Sequence, residues 1–188
     1  MIEFLSVATF EELLDRWDGE QAVIHRDRES DGWIFICMHS TQLGPAAGGT
    51  RLKVYDTPAD GLQDAMRLSA GMTAKLAVAD LRRGGGKAVL AMPKIPDGEE
   101  RRALLRRYGD IVASLGGGFI RAPMWVRDSP TWIAINFLEL NGRSQADVDA
   151  ALAKIGDTLT EIYGRADTEG ISTAAAADAL AASRLRQP

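Results

Sequence analysis

The sequence of 188 residues contains one cysteine, Cys37, and two histidines, His25 and His39. A single cysteine excludes an internal disulfide framework and is typical of a reducing compartment. Because Cys37 lies in the apolar run WIFICMH, we expect a buried, unreactive thiol. Neither histidine has a cysteine or carboxylate at metal-ligand spacing, so we expect no metal site.

Long apolar runs are also lacking. No stretch approaches the roughly 20 consecutive apolar residues that span a bilayer, and the N-terminus lacks the basic-then-apolar layout of a signal peptide. We therefore expect a cytoplasmic protein with no membrane association. Apolar residues at 46% and charged residues at 26% are typical of a soluble chain that folds as one domain with a core.

A basic stripe is missing as well. The formal net charge is −4, which argues against nucleic acid as the main partner. One local group of arginines is predicted to form a solvated helix face that pairs with neighbouring carboxylates. The arginines are Arg101, Arg102, Arg106 and Arg107, and the carboxylates are Glu99, Glu100 and Asp110.

Predicted strands alternate with predicted helices along the chain. Capping residues and apolar periodicity predict helices over 10–17, 57–70, 72–80 and 99–115, a long helix capped by Ser144, and a last helix capped by Thr173. Gly71 is expected to separate the second and third of these. Strand-like runs cover 21–27, 32–39, part of 44–55, 87–92 and 118–122. This order predicts a layered α/β domain followed by a helical tail.

Two lysines stand out in the stretch GMTAKLAVADLRRGGGK (71–87). Lys75 and Lys87 are twelve positions apart, and Lys87 directly follows three glycines. With Lys75 on a helix and Lys87 on a strand, the two ammonium groups can converge where the connecting loop meets the sheet. The glycines allow backbone to approach a ligand closely, and two cations in an apolar cleft attract a carboxylate. From these residues alone, two ordinary surface lysines remain the alternative interpretation.

The glycine runs complete no nucleotide motif. GGGKA lacks the upstream glycine and the Ser/Thr of a phosphate-binding loop, and no G-x-G-x-x-G occurs anywhere in the sequence.

The stretch 41–93, TQLGPAAGGTRLKVY through GGGKAVLAMP, resembles the substrate-binding half of the Glu/Leu/Phe/Val amino-acid dehydrogenases, and most of all their leucine and phenylalanine branch. The phrases LGPA-GGTR, GMT-K and GGGKA follow in the family's order and spacing. The resemblance extends upstream over 22–40, and 135–185 is similar to the family's C-terminal helices. It implies a single three-layer-like α/β domain, with helices flanking a mixed, partly parallel sheet, that mediates at least homodimerisation.

The resemblance also implies roles for individual residues. In this family the lysine of GMT-K binds the substrate carboxylate and the lysine of GGGK acts at the reacting carbon, so Lys75 takes the first role and Lys87 the catalytic one. Gly44 would contact the ligand through its backbone. Met72 would line the pocket, and Ala46 and Ala122 are further candidates for selectivity.

The family's catalytic aspartate has no direct counterpart here. The best alignment puts Met124 at its position, and Asp128, four residues further on, is the candidate catalytic replacement. Met124 and Trp125 would then line substrate-binding space, and Trp132 would line it too or fill the gap beside it.

The family's inserted Rossmann domain, which holds NAD, is missing between about Asp128 and Trp132. We therefore expect residues 1–128 to form the substrate-binding and dimerisation domain, residues 131–188 to form C-terminal helices packed on it, and no NAD or other cofactor to be bound.

Three hypotheses about function follow. The first is a non-redox enzyme, not an NAD-dependent dehydrogenase, that isomerises, cyclises, condenses or decarboxylates an amino acid, a 2-oxo acid or a derived imine or enamine through lysine acid/base or Schiff-base chemistry. The second is a catalytically inactive relative that binds an amino or oxo acid or serves as an oligomerisation partner. The third is a remnant that folds and oligomerises without a ligand.

Overall fold

The computed structural model describes residues 10–121 and 144–186. Within them, five helices accompany six strands. The helices are α1 (Phe10–Trp17), α2 (Pro58–Val78), α3 (Gly98–Ser114), α4 (Gln145–Glu169) and α5 (Thr173–Leu185). The strands are β1 (Gln21–Asp27), β2 (Gly32–Ser40), β3 (Ala46–Gly48), β4 (Thr50–Val54), β5 (Gly84–Met92) and β6 (Phe119–Arg121).

All six strands belong to one mixed sheet, in the order β1-β2-β5-β3-β6, with β4 also paired to β5. The hairpin of β1 and β2 is antiparallel, as is the pairing of β2 with β5. In contrast, β3 and β4 run parallel to β5 and follow one another along its other side. The predicted mixed, partly parallel sheet is therefore confirmed.

Helices cover both faces of the sheet. On one face, β2 and β5 pack against α3 in a core that contains Ile34, Ile36, Leu90, Leu104 and Tyr108. On the other face, the alternate residues of the same strands pack against α1 and α2 in a core that contains Trp17, Phe35, Cys37, Met66 and Val89. Side chains alternate between the two faces along a strand, so β5 contributes to both cores. This arrangement confirms the layered α/β prediction.

Helix α2 runs unbroken through Gly71, so the predicted interruption there is wrong. Gly71 lies on the exposed side of the helix, where a Cβ would touch nothing within 4 Å. A glycine inside a helix costs about 1 kcal/mol, which the burial of the opposite side of α2 outweighs. The predicted start is confirmed, because Thr57 and Asp60 form a reciprocal capping box.

Strand β5 begins at Gly84, three residues before the predicted start at Lys87. All three glycines of the GGG run are buried strand residues. A Cβ at Gly84 would overlap the carbonyl oxygen of Ser40, and one at Gly86 would lie 2.8 Å from the ring of Phe119. The run is therefore a strand that neighbouring atoms approach closely, which the periodicity of apolar residues could not indicate.

One member of the predicted arginine face behaves differently. Arg102 and Arg106 do pair with Glu99 at the surface. Arg107 instead reaches the β1–β2 hairpin, where it donates hydrogen bonds of 2.7 and 2.8 Å to the buried carboxylate of Asp27. Burial by itself would raise the pKa of Asp27, but hydrogen bonds from Arg107 and Ser30 outweigh it and lower that pKa.

The helical tail packs on the C-terminal end of α2. Arg184 of α5 donates hydrogen bonds to the carbonyl oxygens of Ala77 and Val78, at 3.2 and 2.5 Å. A cation at this position satisfies terminal carbonyls and suits the negative end of the helix dipole. The cap of α5 is Ser172 rather than the predicted Thr173. Among the described helices, none is long and apolar enough to cross a membrane.

The thiol of Cys37 is fully buried, as predicted. Burial disfavours the thiolate and raises its pKa to about 12, so this cysteine is unreactive.

Candidate active site

Lys87 lies on β5, directly after the three glycines. Its Cα pairs with that of Cys37 on β2, and its side chain is partly buried. Strand alternation places Lys87 on the side of the sheet that α2 covers, together with Gly85 and Val89. Its Nζ atom lies 3.5 Å from the position that a Cβ would take at Gly49. A side chain at Gly49 would therefore contact this ammonium group.

Helix α2 packs directly on β5 where Thr73 meets Gly85. A Cβ at Gly85 would overlap the backbone nitrogen and Oγ1 of Thr73, so this close approach requires glycine. Thr73 lies two residues before Lys75, and Gly85 lies two residues before Lys87. This close contact joins the two lysine-bearing segments.

Lys75 is exposed on α2. Two residues rotate a helix by about 200°, so Lys75 points away from the packed side chain of Thr73. Met72, three residues earlier, neighbours Lys75 on the helix surface and packs against Ala47 and Leu76. The predicted convergence of Lys75 and Lys87 on one ligand stays a prediction.

The backbone of Gly44 is engaged within the protein. Its N–H donates to the carbonyl oxygen of Thr41 at 2.9 Å, and its own carbonyl accepts from the N–H of Gly84 at 3.0 Å. Gly44 has a φ of +134°, and a Cβ there would lie 2.8 Å from the carbonyl oxygen of Arg82. A ligand contact through Gly44 would therefore use the second lone pair of its carbonyl.

Ala46 packs in the α3-side core, on the opposite side of the sheet from Lys87. The other predicted site residues lie outside the described residues, so their roles stay predictions. These are Ala122, Met124, Trp125, Asp128 and Trp132.

A charged network that sequence reasoning missed lies on the same face of the sheet as Lys87. Arg51 lies on β4 and pairs with Val89 of β5, so its side chain faces α2, as that of Lys87 does. Asp64 of α2 accepts hydrogen bonds from Arg51 and from the hydroxyl of Tyr55, both at 2.6 Å, and from Arg67 at 2.8 Å. The pairing of Asp64 with Arg67 at i and i+3 was visible in the sequence, but the partnership with Arg51 needs the sheet register.

This network shifts the pKa of Asp64, Tyr55 and Arg51. Against the effect of burial, the hydrogen bond with Asp64 raises the pKa of Arg51. Burial alone would raise the pKa of Asp64, but the hydrogen bonds from Tyr55, Arg67 and Arg51 lower it from 3.8 to about 2. The pKa of Tyr55 rises to about 12, because its phenol is partly buried and donates to the Asp64 carboxylate. Asp64 is thus an anion near neutral pH and offsets part of the positive charge of Arg51 and Arg67.

His39 also has a role that its spacing did not indicate. Its Nδ1 lies 2.9 Å from Oγ1 of Thr73, and its ring centroid lies 6.2 Å from that of Trp17. Burial lowers the pKa of His39, although Asp18, Glu20 and a hydrogen bond with the Trp17 backbone oppose the shift. Within 10–121 and 144–186, no three side chains of His, Cys, Asp or Glu are grouped as metal ligands.

Comparison with protein families gives one match, which covers residues 24–123. The family is described as "Glu/Leu/Phe/Val dehydrogenase, dimerisation domain". The match includes the segments that carry Lys75, Lys87, Arg51 and Asp64.

Two curated relatives illustrate the sequence similarity. A valine dehydrogenase from Streptomyces albus is 46% identical over 110 residues, which are 57% of this chain and 29% of the relative. A leucine dehydrogenase from Geobacillus stearothermophilus is 39% identical over 109 residues, which are 58% of this chain and 29% of the relative. The chain therefore aligns with less than a third of the length of each enzyme.

Among solved structures, an L-tryptophan dehydrogenase from Nostoc punctiforme superposes with a TM-score of 0.79. The superposition covers 94% of this chain and 98% of that chain, at 18% sequence identity. At this identity the match establishes the shared fold, which extends over most of the chain.

Proposed function

Because the chain belongs to the Glu/Leu/Phe/Val dehydrogenase dimerisation-domain family, we propose that it binds an amino acid, a 2-oxo acid or a derived imine or enamine and converts it without redox chemistry. The observation that carries this proposal is the position of Lys87. Its partly buried side chain lies on the face of the sheet that α2 covers, and its ammonium group lies 3.5 Å from the position that a Cβ would take at Gly49.

The described residues do not fit a dinucleotide such as NAD. A dinucleotide site needs a glycine turn between a strand and the N-terminus of a helix, where the backbone approaches the pyrophosphate. The run 84–86 instead lies inside β5, and protein atoms fill the Cβ positions of these glycines. The run 116–118 follows the C-terminus of α3, where the helix dipole repels phosphate. No step of the proposed reaction uses the nucleotide.

Lys75 is proposed to hold the substrate carboxylate. It is an exposed ammonium on α2, close in the chain to the contact that joins α2 to β5. An exposed cation can exchange its hydration for an incoming carboxylate at little cost, whereas a buried one would need a permanent partner. The residue is therefore suited to binding rather than to proton transfer.

Lys87 is proposed to be the catalytic group. Its neutral amine can add to the C2 carbonyl of a 2-oxo acid to form an imine, with loss of one water, or accept a proton from the α-carbon. Isomerisation, cyclisation, condensation and decarboxylation can all proceed from such an imine or enamine.

Trapping with borohydride tests the role of Lys87. Incubation with pyruvate and borohydride is expected to add one reduced adduct, mapped by peptide mass spectrometry to Lys87 and absent from Lys87→Arg. Lys94, an exposed lysine that pairs with Glu100, is the internal control and should stay unmodified. Adducts spread equally over the exposed lysines would contradict the Schiff-base role.

A thermal-shift panel of amino and 2-oxo acids tests the role of Lys75. A ligand at 100 times its Kd stabilises the folded chain by about 2.7 kcal/mol, and Lys75→Ala is expected to abolish that gain. Lys53→Ala, another exposed lysine, should leave it intact. An unchanged shift in Lys75→Ala would refute the carboxylate assignment.

A second candidate function is a binding module without catalysis, and the exposure of Lys75 favours it. An exposed lysine and a partly buried one suffice to recognise a carboxylate even when no bond changes follow. In this case the thermal shift would persist while borohydride trapping and product formation both fail.

Self-association is part of either proposal. The matching family model describes a dimerisation domain, so we propose a homodimer or a higher homo-oligomer. Light scattering coupled to gel filtration would measure the mass in solution, and a mass near the 20.3 kDa of one chain at all concentrations would contradict it.

A further inference from the structure

A polar cluster lies on the side of α2 that faces the sheet, away from Lys75. It consists of Trp17, His39, Ser69 and Thr73, and we call it the polar clamp. Trp17 Nε1 donates to Ser69 Oγ at 3.1 Å, Ser69 Oγ donates to the carbonyl of Met66 at 2.7 Å, and His39 Nδ1 lies 2.9 Å from Thr73 Oγ1. Ser69 and Thr73 are 0% and 4% exposed.

The clamp adds directional contacts to the apolar packing of α2. Met66 and Leu76 are buried on either side of Ser69 and Thr73, and Thr73 rests on a glycine of β5. Apolar burial is non-directional, whereas hydrogen bonds are directional. The hydrogen bonds of His39 and Trp17 therefore limit the rotation of α2 about its own axis.

Rotation of α2 matters because of what lies on its other side. A turn of about 20° displaces a group 6 Å from the helix axis by about 2 Å. Such a turn would move the ammonium group of Lys75, while Lys87 stays on β5. The spacing of the two cations would change without any loss of secondary structure.

We propose that His39, acting through Thr73, is a positioning residue that sets Lys75 relative to Lys87. The proposal rests on the function assigned above to the two lysines. It gives His39 a role in the site although the histidine touches no ligand, and it explains why a polar pair occupies a buried contact between helix and sheet.

The five lysines of the chain provide a test that needs no ligand. Reductive ¹³C-methylation gives each lysine its own NMR signal, and the two site lysines can be compared with Lys53, Lys94 and Lys154. Thr73→Val keeps the shape of the side chain and removes the hydroxyl. It is expected to shift the signals of Lys75 and Lys87 and to leave the other three in place, whereas Thr73→Ser should restore the original positions.

Histidine variants complete the test. His39→Leu is expected to shift the same two signals, and His39→Asn, whose amide can occupy the position of Nδ1, should reverse much of the shift. His25→Leu is the matched control, because His25 is exposed on β1. Unchanged signals of Lys75 and Lys87 in a folded Thr73→Val would overturn the proposal.

Two further outcomes would also overturn it. A uniform shift of all five signals, or loss of folding in both Thr73→Val and His39→Leu, would make the clamp a general support of the fold. A failure of borohydride trapping and of ligand binding would remove the proposed function but would not alter the lysine signals on which this inference is tested.

Discussion

The two faces of the sheet are built from the same strands and serve different purposes. The α3 side of the sheet is mostly apolar. Its buried polar groups include the pair in which Thr50 Oγ1 lies 2.7 Å from the hydroxyl of Tyr108, and the Asp27 carboxylate that Arg107 of α3 binds. The α2 side mixes apolar residues with Lys87, Arg51 and His39. Because neighbouring residues of a strand point to opposite faces, the residues of one face can differ in composition from those of the other.

Breaking the contact between α2 and β5 is expected to have the largest effect. Gly85→Ala forces a methyl group into the backbone of Thr73, so α2 must move, and we expect a loss of roughly 3 kcal/mol or more together with loss of ligand binding. Denaturant unfolding and the thermal-shift panel measure the two losses. Gly109→Ala on α3 is the matched control, since a Cβ there meets nothing within 4 Å. Equal stability of the two variants would contradict the close contact.

Deleting apolar volume on the other face separates stability from function. Leu90 is fully buried in the α3-side core, and Leu90→Ala is expected to cost about 2–5 kcal/mol. The ligand-induced thermal shift should persist, because Lys75, Lys87 and the polar clamp lie on the opposite face. Loss of that shift in a variant that still folds would show that the two faces are coupled.

Acid is expected to destabilise the folded chain by protonating Asp64 on α2, and this effect should be smaller than those of the two substitutions above. Its pKa is about 2 in the folded chain, against an ordinary value of 3.8 for an aspartate. The stabilisation is therefore complete above pH 4 and is lost as the pH falls from about 4 to 2. One pKa unit corresponds to about 1.4 kcal/mol, so the loss is about 2 kcal/mol.

The free energy of unfolding should be measured from pH 7 to 2. The parent chain should lose the stabilisation from Asp64 as the pH falls, and Asp64→Asn should show no such loss. The acid sensitivity contributed by Asp27 on the α3 side should remain in that variant, because Arg107 still lowers its pKa. An identical acid profile for the parent chain and Asp64→Asn would count against the network around Arg51.

Local signals in the sequence predicted most of the elements. The capping boxes at Thr57 and Ser144 mark helix starts that the structure reproduces. The prediction that the helix is interrupted at Gly71 was wrong, because helix propensity does not include the stabilisation from burying the opposite side of the helix. The start of β5 was placed late because three glycines carry no hydrophobic pattern, although neighbouring atoms require them.

The candidate site was predictable in part. Lys75 and Lys87 were found from the glycines around them and from the family resemblance. Arg51, Asp64 and His39 were missed, since their partners lie 13 and 34 residues away. Such pairs depend on the register of β4 with β5 and on the rotation of α2, and no local pattern encodes either quantity.

The sequence by itself determined the alternation of strands and helices and the helix caps, because each depends on neighbours within a few residues. The two lysines were singled out by the glycines around them together with the family resemblance. Only the tertiary structure decided that Thr73 rests on Gly85, that Arg51 pairs with Asp64 and that His39 reaches α2. These contacts join segments that are distant in the chain, so their geometry follows from how the sheet and α2 pack and not from local preference.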